Sequence, residues 1–362
     1  MRVNEALSEF LDERLPAMTE ISPALADLGS EARSLLDGGK RVRAGFVYWG
    51  WQSIIAARPG ADHTAGSEID PGFAPVVRIA AAIELFHAAA LVHDDIIDDS
   101  DTRRGRPSSH RSFEKLHQDA EWAGDARRWS ISASILLGDL LLNWADDLLF
   151  TTTRQLDHGD AAHDVYRRMR EEVTLGQFLD VLEEVAWIRQ DPEDLLEHAQ
   201  TVAIHKSAKY SVMEPLLLGA AIAGASQQQI DALAGYGLPI GVAFQMRDDL
   251  LGVFGDPDVT GKPAGDDLRE GKRTVLVEIA RRRLPANVRV LLDELLGDPS
   301  LDARQITMLQ EAIQSSGAVE RVEHMIDRAV GQGIESLRDA DFSRSSVLEL
   351  ERLASSVTDR SN

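Results

Sequence analysis

Two runs of carboxylates are spaced in a way that suits a divalent cation. The first, His93-Asp94-Asp95-Ile96-Ile97-Asp98-Asp99, opens a stretch with five acidic residues between positions 94 and 101. In a helix, positions i and i+4 lie about 40° apart around the axis. Asp94 and Asp98 would therefore share one face, flanked by Asp95. Carboxylates this crowded repel one another, and a hard cation such as Mg²⁺ relieves that repulsion through oxygen ligands. The second run is Gln245-Met246-Arg247-Asp248-Asp249-Leu250-Leu251-Gly252. Its i+4 position is Gly252, one carboxylate fewer; Asp256 lies a turn further on, just before Pro257. Taken singly, each run reads equally as a solvated helix end. As a pair they point to function. Both are expected at the end of an apolar helix, where the dipole disfavours negative charge, and both lead into a loop with glycine and cations.

The chain has 38 Lys and Arg against 60 Asp and Glu, a formal charge of −22. That balance repels nucleic acid and anionic membranes, so local cations are informative. Lys40, Arg41 and Arg43 follow Gly38-Gly39; Arg103, Arg104 and Arg106 follow the first acidic run. Lys206 and Lys209 lie in IHKSAKY, and Lys262 and Lys272 follow the second run. Arg forks and Lys point charges bind phosphate oxygens. Arg41, Arg106 and Lys209 read as ordinary surface charge; the others suit a carboxylate–metal–diphosphate–cation sandwich, because a metal inverts the local field. Gln177 and Asp180 place two polar groups inside an apolar helical run, and His87 stands two turns before Asp94. Each reads either as a satisfied core polar group or as part of a site.

The elements that must carry these residues are helices. Apolar residues recur at helical spacing from Val76, Ser132, Val165, Leu195 and Ile230, while strand signals are nearly absent. Breaks are expected at 57–75, 99–110, 157–164 and 255–272, the first as a mobile loop. One all-α domain over 1–362 follows, with its motifs between about 38 and 274 and further helices over 275–362. The segment DFSRSSVLELERLASSV suits a final packing helix. There is no cysteine, so disulfides and thiolate metal sites are excluded. The first residues lack the apolar core of a signal peptide, and the apolar run near Pro215 is too short to span a bilayer. A cytoplasmic protein without stable membrane insertion is expected.

The segments GGKRVRAGF, DDIID with DTRRGRP, GQFLD, HKSAKYS, FQMRDDLLG and GKPAGDDLREGKRT occur in one order from about Gly38 to Thr274. Together they resemble the trans-isoprenyl diphosphate synthase (polyprenyl synthase) family. The resemblance implies a helical bundle around a central cavity, the isoprenoid synthase fold, usually as a homodimer. It implies that Asp94, Asp98 and Asp248 hold Mg²⁺, three ions per site, with Asp95 and Asp249 in support. By the same resemblance Arg103, Lys206, Lys262 and Lys272 contact an allylic diphosphate (dimethylallyl, geranyl or farnesyl). Lys40, Arg43, His87 and Arg104 hold isopentenyl diphosphate, and Gln177, Asp180, Ser207 and Gln245 line the reacting region. Ala44, Ser207 and Gly252 depart from common Pro, Thr and Asp positions.

The implied reaction is ionisation, head-to-tail condensation and proton loss to the departing diphosphate, with water excluded by closure of the 255–272 loop. A helix turn of about 5.4 Å approximates one isoprene unit. Ala89 and Ala90, one turn before Asp94, are small where C15-forming members carry aromatics; Phe86, two turns before, would be the floor. Geranylgeranyl diphosphate (C20) is the expected product, with C15 or C25 and longer as alternatives. Two other readings are a class I terpene cyclase, which would not need Lys40, Arg43 and His87, and a silent partner subunit, which would tend to lose an acidic motif.

Overall fold

Wherever apolar residues recur with helical period, the backbone is helical. The computed structural model describes residues 2–61, 66–68, 70–256, 265–338 and 340–359. The chain runs through α1 (Arg2–Ile21), α2 (Ala26–Leu36), α3 (Val42–Ile55), α4 (Phe73–Ile97), α5 (Ser109–Asp119), α6 (Ala126–Thr153) and α7 (Gly159–Ala186). Next come α8 (Leu195–Val202), a π-helical stretch Ala203–Met213, α9 (Glu214–Ile222) and α10 (Gln227–Phe254). A one-turn helix Asp266–Glu270 precedes the helices Val275–Arg283, Ala286–Leu295, Ala303–Ser315, Ala318–Glu335 and Arg344–Thr358. Among the described residues, the only strands are Thr102–Arg103 and Arg106–Pro107, a two-residue antiparallel hairpin.

The side chains explain the boundaries. Asp125 caps α6 by accepting from the Arg128 N–H, and Ser226 with Gln229 forms a capping box at the start of α10. α4 is apolar on every side. It is long and apolar enough to cross a bilayer, yet 67% of its apolar window is buried inside the fold, as befits a helix surrounded by others. It packs on α3 and α6. One core cluster gathers α1, α3, α4, α6, α7 and α9; another gathers α8 with the helices from Val275 to Glu335. α10 serves both, through Tyr236, Ile240 and Phe244 on one side and Met246, Leu250 and Val253 on the other. The expected last helix forms at Arg344–Thr358, where the Leu350 carbonyl accepts from the Tyr236 hydroxyl at 2.6 Å.

Three expectations need correction. The break at 157–164 is shorter, because α7 is already helical from Gly159. The second acidic run does not end its helix: α10 continues past Asp248 and Asp249 to Phe254, and Asp256 lies exposed beyond it. The break at 99–110 contains the hairpin, which turns Arg103 back toward α4. Residues 62–65 and 69 of the first expected loop lie outside the described residues, as do 257–264 of the last, including Lys262.

Candidate active site

A cavity of about 940 Å³ opens between α4, α7, the π-helical stretch and α10. It has the size of a small-molecule site. At its head, Asp94 is met from three sides. Gln177 donates to Oδ1 at 3.3 Å, the Lys206 ammonium lies 3.3 Å from the same oxygen, and an Arg103 nitrogen lies 3.5 Å from Oδ2. Lys206 also bonds closely to Asp180. Burial opposes its charge, but Asp94 and Asp180 outweigh burial and hold it above the usual lysine range. Asp95 is buried and clamped by Arg103, whose Nε donates at 2.8 Å. Asp98 caps α4, its carboxylate 1% exposed and 2.9 Å from the Lys272 ammonium. Lys272 pairs in turn with Glu270 at 2.5 Å.

The π-helical stretch supplies the adjoining wall. Its looser turns bring Lys206, Ser207, Tyr210 and Ser211 together onto the cavity, and such irregular turns are frequent at functional sites. Glycines on both neighbours let it in. A Cβ on Gly176 would lie 2.3 Å from the Lys206 nitrogen, and one on Gly241 would lie 2.3 Å from the Ala208 carbonyl oxygen.

A second cation group faces this wall. Arg43 donates to the Ser211 hydroxyl at 2.7 Å, lies 3.2 Å from His87 Nε2, and stacks its guanidinium 4.4 Å from the Tyr210 ring centroid. Arg has only donors, so Nε2 of His87 accepts. Its Nδ1–H then donates to the Tyr210 hydroxyl at 2.8 Å. Burial and the neighbouring Arg43 both push the His87 pKa well down, so the ring is neutral. Lys40 is exposed at the rim, and the Arg104 guanidinium lies against Gly39.

Arg41 is not surface charge. It is 6% exposed and pairs with Glu84 of α4 at 3.1 Å, while Glu84 also accepts from the Ala44 N–H at 3.2 Å. Its left-handed backbone (φ 50°) turns the loop into α3. Arg106 is exposed as expected, and Lys209 pairs with Glu172 at 2.7 Å.

Across the cavity, α10 presents Gln245, Asp248 and Asp249. Gln245 donates to Asp249 at 2.7 Å; burial pushes the Asp249 pKa well up, against that hydrogen bond. Asp248 therefore faces Asp94 across one cavity rather than opening into a pocket of its own. Gly252 leaves room for Asp267: a Cβ there would lie 1.9 Å from an Asp267 carboxylate oxygen. Sequence reasoning assigned nothing to Asp267, Tyr210 or Glu184. Glu184, a turn beyond Asp180, is raised to about 7 by burial and then by Asp180 and Asp98. The DDLREGK segment carried a signal for the first and HKSAKYS for the second; Glu184 carried none.

Along α4, one and two turns before Asp94, lie the residues expected to set chain length. Ala90 lines the cavity. Ala89 is fully enclosed, and Phe86 is buried beside Tyr210, which lines the wall.

The donor set suits a hard divalent cation. Asp94 and Asp248 face the cavity, and burial, then the like charge of Asp94, raises the Asp98 pKa against the pull of Lys272, so added positive charge is favoured there. Among the described residues, no three His, Asp or Glu side chains are gathered closely enough to hold a metal ion as they stand.

Fold and site together define a helical trans-prenyltransferase, with an acidic, cation-studded head and an apolar interior. Residues 28–313 match the polyprenyl synthetase family, and the chain belongs to it. A solved geranylgeranyl pyrophosphate synthase from Corynebacterium glutamicum, complexed with isoprenyl diphosphate and magnesium, is 40% identical with a TM-score of 0.90 over 99% of this chain and 97% of that one. The geranylfarnesyl diphosphate synthase of Natronomonas pharaonis is 32% identical over 92% of this chain and 88% of its own length. The (2E,6E)-farnesyl diphosphate synthase of Mycobacterium tuberculosis is 31% identical over 89% and 80% respectively. These names span C15, C20 and C25 products.

Proposed function

We propose that the chain condenses isopentenyl diphosphate with an allylic diphosphate, head to tail, to give geranylgeranyl diphosphate. The carrying observation is that two separate cation groups face one cavity. Lys206, Arg103 and Lys272 gather around Asp94 and Asp98, while Arg43 stands with His87 beside Lys40 and Arg104. Two diphosphates therefore have two places. A cyclase has no use for the second, and a silent subunit has no need of both acidic runs.

Asp94, Asp98 and Asp248 would hold three Mg²⁺ ions. When bound, Mg²⁺ supplies Lewis acidity to the leaving diphosphate. Lys206, Arg103 and Lys272 spread the leaving group's charge, and Lys262 would add to them. Arg43, fixed by Ser211 and the Tyr210 ring, orients isopentenyl diphosphate together with Lys40, Arg104 and neutral His87. Gln177, Asp180, Ser207 and Gln245 border the reacting carbons, and the departing diphosphate takes the proton. Ala90, Val173 and Phe244 give the tail an apolar path that excludes water.

Small Ala90 with buried Phe86 a turn deeper favours C20 over C15, and the 40% identical geranylgeranyl synthase supports the same length. We read residues 1–362 as one catalytic unit that works as a homodimer in the cytoplasm. Leu136, Phe178, Val185 and Ile188, on α6, α7 and the turn after it, are each more than 60% exposed. Apolar surface of this kind suits a second copy.

The test supplies the purified chain with Mg²⁺, labelled isopentenyl diphosphate and a C5, C10 or C15 allylic primer. C20 from all three is expected. A cyclic hydrocarbon from the allylic diphosphate alone, or no incorporation of label, rejects the reading; C15 or C25 as the main product rejects only the length.

A further inference from the structure

Behind Phe86 stands a second aromatic barrier. Tyr166 of α7 is 2% exposed, and its ring meets Phe86 edge to face at 6.1 Å. The Phe86 ring meets Tyr210 in the same way at 5.7 Å. Three rings thus pack together behind the wall that Tyr210 presents to the cavity, two of them anchored. Tyr210 is tied to His87, and Tyr166 donates its hydroxyl to Asp146 of α6 at 2.9 Å. Asp146 is itself clasped by Arg170 at 2.5 Å, whose guanidinium lies 5.5 Å from the Tyr166 ring centroid.

The helix register sets Tyr166 below the last α7 residue of the cavity lining. α7 lines the cavity with Asp180, Gln177 and Val173, and Tyr166 continues that stripe two turns below Val173. α4 runs beside it, with Asp94 against Gln177 at the head and Phe86 against Tyr166 at depth. At about 1.5 Å per residue, Phe86 is roughly 12 Å below Asp94 along α4. Tyr166 is roughly 16 Å below Gln177 along α7. The difference is close to one isoprene unit.

We propose that Tyr166, pinned by Asp146 and Arg170, is a specificity-determining second stop that halts the growing chain about one unit beyond Phe86. The proposal rests on the chain-elongation reading above. Phe86 conceals this stop: while it is present the chain never reaches Tyr166, and once it is removed Tyr166 still limits the gain. Asp146 acts through Tyr166 by keeping the ring across the path.

The experiment compares product lengths for the unaltered chain, Phe86→Ala, Tyr166→Ala and the double variant, with a C15 primer and excess isopentenyl diphosphate. Tyr166→Ala is expected to keep the unaltered product length. Phe86→Ala should add one unit, and the double variant two or more, a gain exceeding the sum of the single changes. Asp146→Asn in the Phe86→Ala background should broaden the products toward longer chains. Tyr166→Val, which removes the ring and the tether but keeps a small apolar side chain, replaces Tyr166→Ala if that variant melts early. A double variant that stops at the Phe86→Ala length overturns the second stop while leaving the elongation reading intact. If Phe86→Ala and the double variant both keep the unaltered length, the chain does not descend this way and the proposal falls. Absence of elongation by the unaltered chain would strike the underlying reading instead.

Discussion

At the head of the cavity, Asp94, Asp98, Lys206, Arg103 and Lys272 are held by charge, each by partners on other segments. At the proposed floor, Phe86 is held by ring packing alone, edge to face against Tyr166 and Tyr210, whose hydroxyls are tied to Asp146 and His87. The head resists substitution because removing one partner strands the charge of another in a buried setting. The floor tolerates volume changes more gradually, at the cost of a cavity or of overpacking. Rate should therefore be decided at one end and product length at the other.

The sharpest way to break this division is a head variant that changes product length or a floor variant that abolishes turnover. Asp94→Ala removes a carboxylate proposed to hold metal, an effect worth several kcal/mol and hence on the order of 10³-fold in kcat. The residual product should keep its length, which product chromatography checks. Ala90→Phe puts a ring into the lining one turn below Asp94 and should shorten the main product by one isoprene unit, with turnover changed by about tenfold or less. A 10³-fold loss there would erase the distinction.

A smaller effect concerns pH. His87 is neutral in the fold because burial and then Arg43 depress its pKa. The unfolded chain takes up that proton near the ordinary value of about 6.5. Below that pH the unfolded state binds more protons, so stability falls as pH drops toward the folded pKa, and His87 contributes nothing above it. The slope from this one group is at most about 1.4 kcal/mol per pH unit. In denaturant titrations, His87→Asn should flatten the acid limb between about pH 6.5 and 5; an unchanged limb would mean that His87 already takes up its proton in the fold.

Much of the helical framework was legible because burial imposes a period that side chains must obey, as in α4, α6, α7 and α10. The acidic and basic motifs were legible because chemistry restricts residue type. What escaped lacks either signature. The π-helical stretch changes backbone register, and no apolar period marks it; its traces are the close-approach glycines Gly176 and Gly241, whose neighbours belong to other segments. Arg41 was misread because a sequence gives its charge but not its burial, and Glu84 lies 43 residues away. Gly252 was read only as a missing carboxylate, whereas it makes room for Asp267, 15 residues on, as α10 continues to Phe254. The aromatic floor joins α4, α7 and the π-helical stretch, a meeting that depends on helix packing alone.

The Arg41–Glu84 pair ties the loop before α3 to a rod that carries several tasks. α4 carries Glu84, Phe86, His87 and Asp94 within about three turns, so the partner of Arg41, the proposed depth gauge, a proposed substrate contact and a proposed metal ligand share a single axis. A shift of that axis by a fraction of a turn would retune all four together. Engineers seeking a longer tail are better served by α7, whose deep end can be recut while the α4 rod stays in place.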